Sequence, residues 1–161
     1  MQVRTARPSE YAAIGDITVA AYVDGGYVPH GHGYVDELTD TLTRASGAEV
    51  WVAVGDRGEL LGSITWCPIG STWREIARDD EGEFRMLAVA DGARRQGVGR
   101  ALIQACLDEA RATGLAGVAI STMAEMTDAH RVYGRLGFVR APEDDWSPVP
   151  GVDLLAFRLR F

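Results

Sequence analysis

The order of secondary-structure signals predicts a mixed α/β fold, with a mostly antiparallel central sheet covered by helices on both faces. Three observations carry this expectation. Strand signals adjoin one another in the first half of the chain, as hairpins require. In the second half they alternate with helical periodicities, which lays helices on the sheet. The chain has 161 residues, of which 47% are hydrophobic, enough for one domain over 1–161 with a real core.

Gln2 to Arg7 reads as a short strand. Pro8-Ser9-Glu10 starts a helix with Ser9 as its cap; Ile14, Ile17 and Ala21 give it an apolar stripe, and Gly25-Gly26 ends it. Tyr27 to Gly33 is a loop, and a second helix runs from about Val35 to Ala45. The β-branched and aromatic run Glu49 to Val54 is a strand, turned at Gly55-Asp56-Arg57-Gly58 into Leu60 to Cys67. Ile69 to Gly82 is a polar loop, with a short helix around Trp73 to Ala77 as the alternative. Phe84 to Val89 is an apolar strand. Leu102, Ile103, Cys106, Leu107 and Ala110 line one side of a helix from Arg100 to Ala112, closed by Gly114. Gly117 to Thr122 is a strand. Thr127 or Asp128 caps a helix whose Ala129, Val132, Tyr133 and Leu136 follow the i, i+3, i+4, i+7 pattern. Phe138 to Ala141 and Leu154 to Phe161 close the sheet.

The net charge of -7 and the pI near 4.9 argue against a nucleic-acid partner, because phosphate binding needs a basic face. An acidic surface serves solubility, and it also suits a cationic substrate. Cys67 and Cys106 form no CxxC pair and are expected as two core thiols, with a single disulfide as the alternative. The opening residues lack the apolar core of a signal peptide, and no run approaches a membrane span, so a cytoplasmic protein without a membrane partner is expected.

The segment from Leu87 to Arg100 lies between a strand and a helix. Gly97 and Gly99 let backbone approach a ligand, amides at a helix start favour an anion, and Arg94, Arg95 and Arg100 add positive charge. These features describe a phosphate or pyrophosphate site, against the simpler reading of a glycine turn with solvated arginines. A P-loop is ruled out because Arg100-Ala101 follows Gly99, and the GxGxxG fingerprint fails because Leu102 holds its third place.

Arg94-Arg95-Gln96-Gly97-Val98-Gly99 resembles the Arg/Gln-x-x-Gly-x-Gly/Ala signature of GNAT-superfamily N-acetyltransferases, and Leu87-Ala88-Val89 is similar to the strand before it. Ala129 to Phe138 resembles that family's Ala-x-x-x-Tyr-x-x-x-Gly-Phe block, in the right order and at the usual separation. Asp91, Arg95 and Met126 depart from the family's frequent Pro, Gly and Asn.

The resemblance implies an acetyl-CoA-dependent enzyme, without metal, that acetylates a primary amine of a small molecule or peptide by direct attack in a ternary complex. It implies that Arg94, Arg95, Gln96, Gly97, Val98, Gly99 and Arg100 hold the pyrophosphate of coenzyme A. Backbone of Leu87, Ala88 and Val89 would hold the pantetheine and carbonyl, beside a gap between the Phe84–Val89 and Gly117–Thr122 strands. Tyr133 would face the sulfur and protonate it; packing in the core is the alternative. Glu83 matches the general base of some relatives; an exposed acid with water as the base is the alternative. Trp66, Trp73 and Trp146 are candidates for the acceptor wall or for the core. His30 and His32 are loop histidines near the acceptor site, since a metal would need further ligands. His130 is expected in solvent or near the cofactor. Family members are often dimers, so a homodimer is the assembly to test. The competing functions are a non-catalytic acyl-CoA-binding module and, with less support, a nucleotide-binding regulator.

Overall fold

The computed structural model describes residues 1–161. Its strands are β1 (Gln2–Thr5), β2 (Glu49–Val54), β3 (Leu60–Cys67), β4 (Glu81–Val89), β5 (Gly117–Met123), β6 (Val139–Arg140), β7 (Trp146–Val149) and β8 (Val152–Arg160). The helices are α1 (Tyr11–Val19), α2 (Tyr34–Thr39), α3 (Thr41–Gly47), α4 (Val98–Ala112) and α5 (Thr127–Arg135). One sheet runs in the order β1-β2-β3-β4-β5-β8-β6, with β7 paired to β8. Only β4 and β5 are parallel; the other pairings are antiparallel.

Alternation along the strands separates two buried faces. On one, α4 and α5 cover Ile64, Trp66, Phe84, Val118 and Ile120 with Leu102, Ile103, Cys106, Leu107 and Tyr133. On the other, Ile14 of α1 packs on Val50, Val52 and Val54. Leu38 of α2 joins Val23, Val28 and Met86 in a smaller cluster. Cys67 and Cys106 are buried free thiols, and burial pushes Cys67 up to about 12. Gly82 is dictated by packing, since a Cβ there would stand 2.1 Å from the Trp66 ring. No helix is long and apolar enough to cross a membrane.

Local differences from the sequence reading have physical causes. Ser9 caps nothing. Glu10 takes the N-terminal role: its carboxylate accepts the Arg7 N–H at 2.7 Å and pairs with Arg4 at 2.7 Å, which lowers its pKa to about 2. The helix expected over 35–45 is broken at Asp40 (φ -79, ψ 73), whose side chain accepts the Thr43 N–H and caps α3. The end of α1 widens into a π turn at Ala20–Asp24. Residues 73–77 form no helix, and the β7–β8 hairpin is an addition.

Charged side chains fasten the end of the sheet where β4, β5 and β8 meet. Glu81 is fully buried and accepts from Arg158, from Arg160 Nη1 at 3.0 Å and from the Arg78 N–H at 3.0 Å. Arg158 also donates to Asp144 at 2.8 Å and to the Ile76 carbonyl at 2.8 Å, while Arg160 pairs with Asp80 at 2.8 Å. At the N-terminus, the Met1 ammonium pairs with Asp56 at 3.0 Å.

Candidate active site at the fork between two parallel strands

β4 and β5 pair over three residues only: Glu81 with Gly117, Gly82 with Val118, and Glu83 with Ala119. From Ile120 onward β5 continues against β8, while β4 continues against β3. Phe84 to Val89 therefore has no strand partner on the β5 side, and the strands open as a fork. A bulge in β4 accompanies the opening. The register passes from Ser63↔Ala88 to Thr65↔Arg85, and Met86 takes a left-handed φ of 50. With one extra residue in the strand, three successive residues, Arg85, Met86 and Leu87, all line the cavity beside the fork.

The glycine segment stands at the open end of the fork. None of the N–H groups from Arg95 through Arg100 donates to a protein acceptor, whereas Ala101 already donates to Gly97. The turn is shaped by Gln96, whose amide donates to the Gly92 carbonyl at 2.9 Å, and by Gly97 at φ +81. A Cβ on Gly97 would meet nothing within 4 Å, so its conformation and not crowding calls for glycine. Arg95, where relatives often carry glycine, adopts φ 61. Arg94 is partly neutralised by Asp91 at 3.4 Å, while Arg95 and Arg100 are exposed and have no carboxylate partner. Val98 is buried in the core and Gly99 lies against Val89 and Leu87. Leu87 lines the cavity, Ala88 is buried, and Val89 borders a depression shared with Arg94. A row of unpaired amides at a helix N-terminus, flanked by free guanidiniums, fits a pyrophosphate.

Beside the fork lies a cavity of about 510 Å³. Its β5–α5 wall is Ile120 to Met123, Met126, Ala129 and Tyr133. Its opposite wall carries Tyr22 from the π turn, Tyr27, His32 and Tyr34, and the β7–β8 hairpin closes it with Trp146, Val149 and Leu154. Tyr133 is 3% exposed, its ring packed on Phe84, Phe138 and Phe157 with centroids at 6.0, 5.9 and 5.8 Å. It both packs in the core and reaches the cavity. Burial raises its pKa, with the Thr122 hydroxyl opposing, so the phenol keeps its proton. His130 is half-buried on α5, its Nε2 3.0 Å from the Met123 carbonyl oxygen.

Glu83 is not where a general base belongs. It is fully buried, does not line the cavity, and its Oε2 accepts three backbone N–H groups, from Glu75, Ile76 and Ala77 at 2.9, 2.9 and 3.0 Å. Burial raises its pKa, and the three amides work against that rise. The carboxylate ties the 69–80 loop to the sheet. Trp66 is a second correction: alternation turns it to the α4 face, where it packs on Trp51 at 6.1 Å. His30 is a third, exposed and off the cavity wall; His32 is the lining histidine, its Nδ1 accepting the Tyr34 N–H at 3.1 Å. Trp146 does line the cavity, and Trp73 lies under the Arg85 guanidinium at 5.5 Å. The sequence reading passed over Tyr22, Tyr27, Tyr34 and Arg85. A charge inside the apolar run Phe84 to Val89 was the one signal available for them.

The model of the acetyltransferase (GNAT) family matches residues 11–138. The chain is 33% identical over 103 residues to a mycothiol acetyltransferase of Nocardia farcinica, covering 60% of this chain and about a third (33%) of that protein. An acetyltransferase from Streptococcus agalactiae superposes with a TM-score of 0.77 at 16% identity, over 99% of this chain and 98% of the other. A GCN5-related N-acetyltransferase from Kribbella flavida gives 0.72 at 25% identity, over 99% and 97%. The yncA protein of Salmonella typhimurium, solved with its cofactor acetyl-CoA, gives 0.69 at 22% identity, over 99% and 93%. The family match over most of the chain, with the forked sheet and the amide-rich turn beside it, leads to one conclusion: this chain belongs to the acetyltransferase (GNAT) family.

Proposed function

We propose that the protein transfers an acetyl group from acetyl-CoA to a primary amine held in the 510 Å³ cavity, by direct attack while both substrates are bound. The observation that carries this reading is the meeting of two features at Tyr133: the fork, with its amide-rich end, and a cavity walled by aromatic residues. The amides of Arg95 to Arg100 hold the pyrophosphate, and the unpaired β4 edge around Leu87, Ala88 and Val89 aligns the pantetheine arm. Bound there, acetyl-CoA supplies an activated thioester. Attack by the neutral amine forms the C–N bond and breaks the C–S bond, and the departing sulfur takes its proton from the Tyr133 phenol. The amine's own proton leaves to water on the side of the cavity where Glu37 and Glu75 stand, and an equivalent proton from that water restores the Tyr133 phenol; Glu83 serves as the anchor of the loop beneath.

The non-catalytic alternative, an acyl-CoA-binding module, shares the fork but needs no acceptor cavity. Release of free thiol from acetyl-CoA across a panel of primary amines separates the two. Amine-dependent release is expected. Tight coenzyme A binding with no amine accepted would favour the binding module.

A further inference from the structure

Arg85 is a charged residue set in an apolar strand, and its position at the bulge turns it into the acceptor cavity. Its side chain is only 15% exposed, and a guanidinium that far from water needs acceptors. It has few. Nη1 donates to the Trp73 carbonyl and to Glu75 Oε1, both at the long distance of 3.2 Å. Nη2 and Nε have no carboxylate or carbonyl acceptor; the Tyr34 hydroxyl is the one further group beside the guanidinium, and neither nitrogen is sealed from solvent. The flat face of the group rests on Trp73, which leaves that edge available. Glu83, two residues earlier, is already committed to three loop amides.

A second cation stands behind this wall. Arg44 is 1% exposed and has no carboxylate partner; it donates to Met86 Sδ at 2.9 Å, to Thr41 Oγ1 at 3.0 Å and to the Leu38 carbonyl at 3.4 Å, and its Nε is unpaired. Met86 lies between Arg44 and the cavity. The acceptor half of the cavity is thus backed by two guanidiniums, and a single half-exposed carboxylate, Glu75, touches them. Two parallel N–H donors on a planar edge match a carboxylate bidentately.

We propose, resting on the acetyltransferase reading above, that the acceptor is an amino acid, whose carboxylate docks on the Nη2–Nε edge of Arg85 beside the Tyr34 hydroxyl while its amine points toward Leu87 and the fork. Tyr34, which lines the same wall, supplies a further hydroxyl donor.

The test is calorimetric binding to protein saturated with coenzyme A. The probes are matched sets built on alanine, methionine and phenylalanine: the N-acetyl amino acid, its primary amide, and the N-acetyl amine lacking the carboxylate. In at least one set the acid should bind roughly 10- to 100-fold more tightly than both neutral partners, the size of charge-assisted hydrogen bonds to a partly buried site. Arg85→Gln should erase that difference while coenzyme A binding reports an intact fold. Arg85→Lys should keep part of it, and Glu75→Gln should leave it in place. Equal binding of acids and amides in every set, or a preference that survives Arg85→Gln, would overturn the proposal. Thiol release with the free amino acids and amines reads the transferase activity separately. Acid-selective, Arg85-dependent binding without any turnover would sink the catalytic reading and leave the carboxylate site standing.

Discussion

The packing of Tyr133 and the acid role proposed for it can be separated by one oxygen atom. Its ring fills the core between Phe84, Phe138 and Phe157, so Tyr133→Phe should preserve folding and most coenzyme A affinity. If the phenol protonates the departing sulfur, kcat should fall about 10- to 1000-fold. Steady-state kinetics on the first amine turned over checks this, and a wild-type kcat would make Tyr133 a packing residue with solvent as the acid. Arg95 offers a prediction of opposite sign. A non-glycine residue at φ 61 costs roughly 1 kcal/mol, so Arg95→Gly should raise stability by about that amount in a thermal melt. The same change removes one exposed cation from the amide row and should weaken coenzyme A binding in calorimetry.

The fork is held shut at one end by charge and left open at the other by geometry. Arg158 crosses from β8 to the buried Glu81 at the last paired stretch of β4 and β5. Arg158→Ala leaves Glu81 with Arg160 and the Arg78 amide, and losing one charged partner of a buried pair costs on the order of 3 kcal/mol. Urea unfolding should show a loss of that size, together with weaker coenzyme A binding as the strands lose their alignment. At this scale the sequence was a good guide to existence and a poor one to detail. Periodicity located every strand of the sheet except β7, and the amide turn was legible because glycine spacing and arginines are local signals. The fork was legible only through resemblance, since strand divergence has no residue code. Glu83 was misread because the three amides that occupy it come from a loop eight to six residues away in sequence, in a conformation no periodicity specifies. Trp66 and His30 lie off the cavity wall because tertiary packing, which no local pattern encodes, decides which residues face the cavity.

For the molecule as a whole, alkaline pH should be the more informative titration. Burial raises the phenols of Tyr22, Tyr34 and Tyr133 above their ordinary value near 10. Between that value and the raised one, the folded state holds protons that the unfolded chain has released. Stability contributed by these groups is therefore complete below about pH 10 and declines as pH rises beyond it, with Tyr133 alone withdrawing about 1.4 kcal/mol per pH unit. Denaturant midpoints between neutral and strongly alkaline pH would show the decline. A midpoint that held constant above pH 10 would contradict the burial of these phenols.

All sixteen basic residues of the chain are arginine, and the sheet clamp, the amide row and the acceptor wall are each built from them. Arginine never yields a free nucleophilic amine at the pH of acetyl transfer. A site of the proposed kind, activating acetyl groups next to its own surface, is thus offered no ε-amine by these residues. The protein's side chains should be chemically silent toward its own donor. After prolonged incubation with acetyl-CoA, peptide mapping of these residues should find no acetylated side-chain amine, so side-chain N-acetyl product in any assay can be assigned to the acceptor supplied.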